Sequence, residues 1–344
     1  MDLNDRSKAI LKAIINSYIA TAEPVGSRTV TKRYDLGVSP ATVRNIMADL
    51  EEMGFLIQPH TSAGRVPTDK AYRFYVDILL EVRGLPRQQE DWIFNYPLPR
   101  DDFHQLMQET TRLLSELSHY VGVVMAPKPA EAVYKYIEFI KLSDRRALAI
   151  FVSSAGIIHN RIVTLDEDVP QRELDLAAAL LNREIPGKTL REIRGRILEM
   201  LDEERTRYTR LLVELMRAGH DAMAENGPGD EGELFVGGMT EFFNIPDFSD
   251  LRRMKEIFLA FEEKHRLLKL LDKAMEAEGV QVFIGAENPY FDMSGVSLVV
   301  SRYEGTGNLV GTLGVIGPSR MSYNTVIPLV DCAAKALGRL ISDK

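Results

Sequence analysis

The stretch SPATVRNIMADLEEMGFLIQPHTSAGRVP, Ser39 to Pro67, decides how the N-terminal part of this chain folds. Ser39 has the side chain an N-cap needs, an oxygen that can accept one of the free N–H groups of a first helical turn. Pro40 suits the next position, where its missing N–H costs nothing. Val43, Ile46, Met47, Leu50 and Met53 then recur at helical spacing and form one apolar stripe. Gly54 stands where a helix is ended by a left-handed residue. The opposite side carries Ala41, Arg44, Asn45 and Ala48, with Thr42 at its edge. Those side chains are small or hydrogen-bonding, as the end of a helix that enters a DNA major groove must be. Phe55 to Gln58 and Arg65 to Pro67 read as two short strands, and Pro59 to Gly64 as the tip between them, a β-wing directly after the helix.

Upstream, Ile10, Leu11, Ile14, Ile15, Tyr18 and Ile19 make one face of a helix over Asp5 to Ala22. Glu23-Pro24 stops it, because the residue before proline avoids the helical region. Ser27 is a cap for a short helix from Arg28 to Tyr34, and Asp35 to Val38 is a tight turn into the next one. Helix, short helix, turn and helix make a helix-turn-helix on three helices. Beyond the wing, Thr68 caps a fourth helix with Ala71, Phe74, Tyr75, Ile78, Leu79 and Val82 as its predicted buried face. Residues 1–83 are thus expected to form a winged-helix domain, followed by a linker over 84–100 that opens with the polar, Gly84- and Pro86-containing run from Arg83 to Glu90.

The rest of the chain alternates. A helix over Asp102–His119 precedes β-rich runs at Val121–Met125, Tyr134–Leu142, Leu148–Val152 and Ile157–Leu165. Helices follow from Gln171 to about Met223, with a stripe of Tyr208, Leu211, Leu212, Leu215 and Met216 that reads as core by default and as a dimer contact otherwise. Gly227 to Gly232 is a break. A helix over Leu251–Glu278, strands at Val280–Gly285, Val296–Tyr303 and Leu309–Ile316, and a final helix at Tyr323–Ser342 complete a multidomain α+β chain.

Composition excludes several classes. The 344 residues are 45% hydrophobic and 27% charged, the balance of a globular chain of two or three domains. No run of about 18 apolar residues predicts a membrane span, and the N-terminus lacks a secretory hydrophobic region; a cytoplasmic protein is the simplest expectation. The single cysteine, Cys332, allows neither an intrachain disulfide nor a cysteine metal site. The net charge is −8, but residues 1–83 carry 11 Lys/Arg against 10 Asp/Glu, and residues 26–46 carry Arg28, Lys32, Arg33 and Arg44 against Asp35 alone. Charge permits DNA binding here; the helix pattern argues for it.

Within that pattern Arg44 and Asn45 are the candidate base readers, Arg for guanine and Asn for adenine, with Ala41, Thr42 or Ala48 near thymine methyls. Arg28, Thr29 and Lys32 suit phosphates, which position a domain without specifying sequence. Ser39, at the helix start, and His60, Thr61 and Ser62, at the wing tip, join them as backbone or wing contacts. Arg65, beside Ala63 and Gly64, reads equally as a groove or backbone contact and as a strand-edge arginine. His60 has no second ligand at metal spacing. Gly311, Gly314 and Gly317 are spaced G-x-x-G-x-x-G, which is not the dinucleotide fingerprint, and read as strand and turn. With no H-E-x-x-H and no G-x-S-x-G, neither enzyme, cofactor nor metal is expected.

Several long motifs in order resemble the HrcA family of heat-inducible transcription repressors: YIATAEPVGSR (18–28), SPATVRNIMADLE (39–51), QPHTSAGRVPT (58–68), VFIGAEN (282–288) and GVIGPSRMSY (314–323). The resemblance spans essentially the whole chain. It implies a homodimer with a winged helix, a GAF-like domain over 101–127 and 229–344, and an inserted α+β dimerisation domain over 128–228. It also implies repression of chaperone operons through an inverted-repeat operator in double-stranded DNA, the CIRCE element, with the GroE chaperonin as modulator. Two other functions stand beside it: a regulator sensing a small molecule through the GAF-like domain, and a metabolic enzyme with an appended DNA-binding domain.

Overall fold

The computed structural model describes residues 3–60, 63–100, 102–127, 132–154, 156, 158–184, 186–189, 192–193, 215, 233–248, 264–287, 295–305 and 309–342. Helix α1 (Asp5–Thr21) is capped by Asn4, whose Oδ1 accepts from Ser7 N at 2.8 Å, and closed by Ala22 in the left-handed region. Helix α2 (Ser27–Arg33) packs on α3 (Pro40–Glu52). Strands β1 (Leu56–Ile57) and β2 (Val66–Pro67) pair antiparallel as the wing. Helix α4 (Asp69–Phe74) follows its Thr68 cap and widens into one π-turn over Tyr75–Leu79. Ile10, Leu11, Ile14, Ile15, Val30, Val43, Met47, Leu50, Phe55 and Leu56 form the core of this unit.

Four local expectations are corrected. Ser27 is not the cap of α2; it is the first helical residue, buried, and Gly26 occupies the cap position without a side-chain bond. Met53, at the end of the predicted stripe, is exposed because the helix has closed at Glu52. Ile78 and Val82 are also exposed: the π-turn rotates the face of the fourth helix, which ends at Leu79, so Tyr72 is buried in their place. The linker expected over 84–100 contains helix α5 (Arg87–Phe94), which packs on the C-terminal helix and buries Ile93. The coil ahead of that helix is residues 80–86, of which only 84–86 belong to the expected linker.

Helix α6 (Phe103–Ser118), capped by Asp102 and ended by a left-handed His119, leads into β3 (Val121–Met125). That strand lies inside a five-stranded antiparallel sheet of order β8-β3-β11-β10-β9, where β8 is Leu234–Gly237, β9 Val280–Ile284, β10 Val296–Gly305 and β11 Leu309–Pro318. Helix α6 and the C-terminal helix Tyr323–Ser342 cover one face, with Leu106, Leu313, Val315, Leu329 and Leu337 in the shared core. The helix Lys264–Met275, with Phe242 and Phe248, covers the other through Val123, Val300, Leu267 and Leu271. The long helix expected over Leu251–Glu278 is therefore seen from Lys264; residues 249–263 lie outside the described residues.

Between β3 and β8 the chain builds a second sheet of order β6-β5-β4-β7, with β4 Val133–Ser143, β5 Arg146–Ser153, β6 Ile158–Thr164 and β7 Lys188–Thr189. Helix α7 (Gln171–Glu184) packs on it and buries Leu174, Ala177 and Leu181 against Ile137, Phe139 and Phe151. Its amides also finish the open edge of β4. Gln171 accepts from Lys141 N at 2.7 Å and donates to Phe139 O at 2.8 Å; Asn182 accepts from Ile137 N and donates to Ile137 O, both at 2.8 Å. A strand edge so occupied cannot recruit another strand. Of the helical stripe from Tyr208 to Met216 only Leu215, which is buried, lies among the described residues, and the break at Gly227–Gly232 lies outside them.

Candidate nucleic-acid interface

The recognition helix α3 is anchored from behind and left bare in front. Val43, Met47 and Leu50 are buried and Ile46 is half-buried, whereas Ala41, Arg44, Asn45 and Ala48 are exposed. Its start is fixed: Ser39 Oγ accepts from Thr42 N at 3.1 Å and sits 3.0 Å from Thr42 Oγ1. Ser39 and Thr42 are thereby committed to the cap, and Thr42 is half-buried. Its end is fixed as well, by Gly54 at φ 76°, by Lys70 Nζ donating to Met53 O at 2.7 Å and by Thr68 Oγ1 donating to Gly54 O at 2.8 Å. A cation on the last carbonyls complements the helix dipole.

Arg44 and Asn45 make no side-chain hydrogen bond or ion pair among the described residues, so both retain their full donor and acceptor sets for a ligand in front of the helix. Arg28, Thr29 and Lys32 on α2 are exposed beside them. The structure thus places four of the five base-reading candidates, all but the half-buried Thr42, on one solvent face and the phosphate candidates of α2 on the neighbouring helix.

The wing residues divide. His60 is exposed at the tip, where Ala63 N donates to its carbonyl at 2.8 Å; Thr61 and Ser62 lie outside the described residues. Arg65 does not extend into solvent. Its guanidinium meets Glu51 of α3 at 2.8 Å with only 20% of the side chain exposed. Its backbone exchanges two 2.9 Å hydrogen bonds with Val25 in the α1–α2 connection. Gly64 makes that approach possible: a Cβ there would stand 2.5 Å from the Val25 carbonyl carbon. Arg65 therefore braces the wing against the recognition helix. Neither Glu51 nor Lys70 stands out in the sequence; the only signal is charge, an acid in the last turn of α3 and a cation just past its wing.

The remaining candidates fall elsewhere. Gly311, Gly314 and Gly317 all lie within β11, where the space a Cβ would need is filled by Tyr303, by Val299 O and by Tyr120, so they form no phosphate loop. Among the described residues there is no cluster of three or more His, Cys, Asp or Glu able to hold a metal, and no helix long and apolar enough to cross a membrane.

The chain matches two family descriptions: the winged helix-turn-helix transcription repressor, HrcA DNA-binding domain over residues 2–78, and the HrcA protein C terminal domain over residues 104–327. A heat-inducible transcription repressor HrcA from Geobacter sulfurreducens is 47% identical over 341 residues, covering 99% of this chain and 98% of the relative. One of the same name from Nitrosomonas eutropha is 41% identical, covering 99% of this chain and all of the relative. Among solved structures, the crystal structure of a hypothetical protein at 2.2 Å resolution superposes with a TM-score of 0.60 at 21% identity, covering 99% of this chain and 98% of that one. That likeness concerns the fold alone.

Proposed function

The chain belongs to the HrcA family of heat-inducible transcription repressors, DNA-binding proteins and not enzymes, and on that premise we propose that it represses chaperone operons as a dimer on an inverted-repeat operator, the CIRCE element, with GroE as modulator. The observation that carries the reading is the bare face of α3. Ala41, Arg44, Asn45 and Ala48 project from a helix whose other face, cap and C-terminus are all held by the domain. Arg44 and Asn45 read bases, and Arg28, Thr29 and Lys32 take phosphates. Ser39, His60, Thr61 and Ser62 lie near the backbone, and Arg65 holds the wing.

One helix reads only a few base pairs, so selectivity against a genome needs two half-sites read together. The inserted sheet offers the means. Its outer face lines up Ile140, Leu148 and Ile162 in register, then Glu138, Ile150 and Asn160, then Tyr136, Val152 and Ile158. Three isoleucines of that face, Ile140, Ile158 and Ile162, and Tyr136 are exposed, an apolar sheet surface of the kind that marks a protein interface. We assign it to a second copy of the chain, with GAF-like sheet domains between the inserts and the reading heads. The chaperonin role draws support from topology: β3 and β8 are hydrogen-bonded neighbours although the whole inserted sheet separates them in the chain. Such non-local pairing folds slowly and leaves surfaces exposed on the way.

The test is competition binding with the chain's own upstream DNA. Arg44→Ala and Asn45→Ala should each lose about 1–3 kcal/mol of preference for operator over random DNA while keeping non-specific affinity. Both variants retaining wild-type preference would remove α3 as the reader.

A further inference from the structure

Two motifs of the C-terminal half, VFIGAEN (282–288) and GVIGPSRMSY (314–323), contribute nothing to the DNA-reading face, yet both are turned toward the winged helix. From the head, Arg73 of α4 forks onto Glu287, with Nε 3.0 Å from each carboxylate oxygen and Nη2 2.6 Å from Oε2. The same Nη2 donates to Val282 O at 2.6 Å. From the other side, Arg320 reaches the head by one bond, its Nη1 donating to Ile19 O at 3.2 Å, while its Nε and Nη2 hold Oδ2 of Asp247 at 2.7 and 2.5 Å within the five-stranded domain and so aim the side chain. That carbonyl lies in the last turn of α1, where helix carbonyls lack intrahelical partners.

Between the two arginines the surfaces touch. The ring of Tyr72 stands 6.3 Å from that of Tyr323, both buried, and a Cβ on Gly285 would land 1.9 Å from Asp69 Oδ2. The planar fork of Arg73 on Glu287 fixes orientation as well as distance, which a single ammonium contact does not, and the Asp247 pair keeps Arg320 pointed at the end of α1.

We propose that Arg73 and Arg320 are specificity-determining positioning residues, clamping each reading head on the five-stranded domain at one angle so that the dimer accepts one half-site spacing. The proposal rests on the dimeric, two-half-site reading above. Chain length alone does not impose a spacing. Extended, the seven coil residues 80–86 reach about 24 Å. Inserting five base pairs between half-sites displaces one by about 17 Å and turns it by half a helical turn. A head tethered only by that coil would follow the half-site; a clamped head cannot.

Full-length wild type, Arg73→Ala, Arg320→Ala and the double variant are titrated against three DNAs: the operator, the operator with five base pairs inserted, and a single half-site. Wild type should lose at least about a hundredfold on the insertion, because the second contact no longer forms at high effective concentration. The double variant should lose about tenfold or less, with half-site affinity and thermal unfolding of the head unchanged. Arg73→Lys and Arg320→Lys, which remove the planar guanidinium contacts without opening much space, replace any alanine variant that does not fold. Latch variants as selective for spacing as wild type would overturn the clamp and leave the dimer standing, as would variants that bind the natural operator more tightly. Wild type indifferent to the insertion would overturn both.

Discussion

Placing a carboxylate on the outer face of the inserted sheet, as Ile162→Glu, should split the repressor into monomers. Ile162 is 51% exposed on the edge strand β6, at the end of a register row with Leu148 and Ile140. Fully burying an isoleucine contributes about 1.5–3 kcal/mol, so covering its exposed half supplies about 1 kcal/mol in each protomer. A two-fold axis counts that twice, about 2 kcal/mol. The substitution also forces two carboxylates into an otherwise apolar contact, at a further cost of several kcal/mol. Together these exceed about 4 kcal/mol, or roughly a thousandfold in the dimer dissociation constant. Sedimentation equilibrium measures the dissociation constant directly, and gel shifts with one or two half-sites give the consequence. The variant should bind an isolated half-site as wild type does and lose its advantage on the paired operator. Ile162→Val, which keeps the surface apolar, should remain dimeric. An Ile162→Glu protein that sediments as a dimer at the wild-type constant would show that the face is not the interface.

Lys32→Ala should weaken operator and random DNA alike and lower the salt slope by about one unit, whereas Glu51→Gln should weaken binding with the slope unchanged, since Glu51 acts through Arg65 and the wing; equal slopes for wild type and Lys32→Ala would remove Lys32 from the phosphate contacts. Gly64→Ala drives a methyl against the Val25 backbone and disturbs two 2.9 Å hydrogen bonds, so denaturant unfolding should show a loss of about 2–4 kcal/mol; unchanged stability would mean the wing is not seated there. His159, on the inner face of the inserted sheet, has its pKa lowered from 6.5 to about 4 by burial and, secondarily, by Arg161. The unfolded chain then takes up a proton below pH 6.5 that the folded one refuses until about pH 4, so stability is complete above that range and falls as the pH drops through it. Urea unfolding at pH 7 and pH 5 should differ by about 2 kcal/mol on this account, a difference His159→Leu should largely remove.

Helix α3 was legible because everything that defines it is local. Ser39 and Pro40 start it, the spacing of Val43, Met47 and Leu50 sets its buried face, and the exposure of Arg44 and Asn45 follows from the same 3.6-residue period. The strands β3, β4, β5, β6, β9, β10 and β11 were legible for a like reason, as runs of apolar or alternating residues between turns. Strand β8, four residues long, has no pattern of its own and exists because β3 offers it an open edge. Helix α5 reads as polar linker because one buried side chain, Ile93, holds it to the C-terminal helix. Arg65 was ambiguous in the sequence, since a strand-edge arginine carries no mark of whether DNA or Glu51 will neutralise it. The seating of the head is the extreme case: Arg73 and Glu287 are 214 residues apart, and Arg320 and Ile19 are 301. Periodicity and capping record what a residue does to its neighbours in the chain; which charge it meets across a domain boundary is settled only when the cores on both sides have packed and the remaining polar groups must find partners.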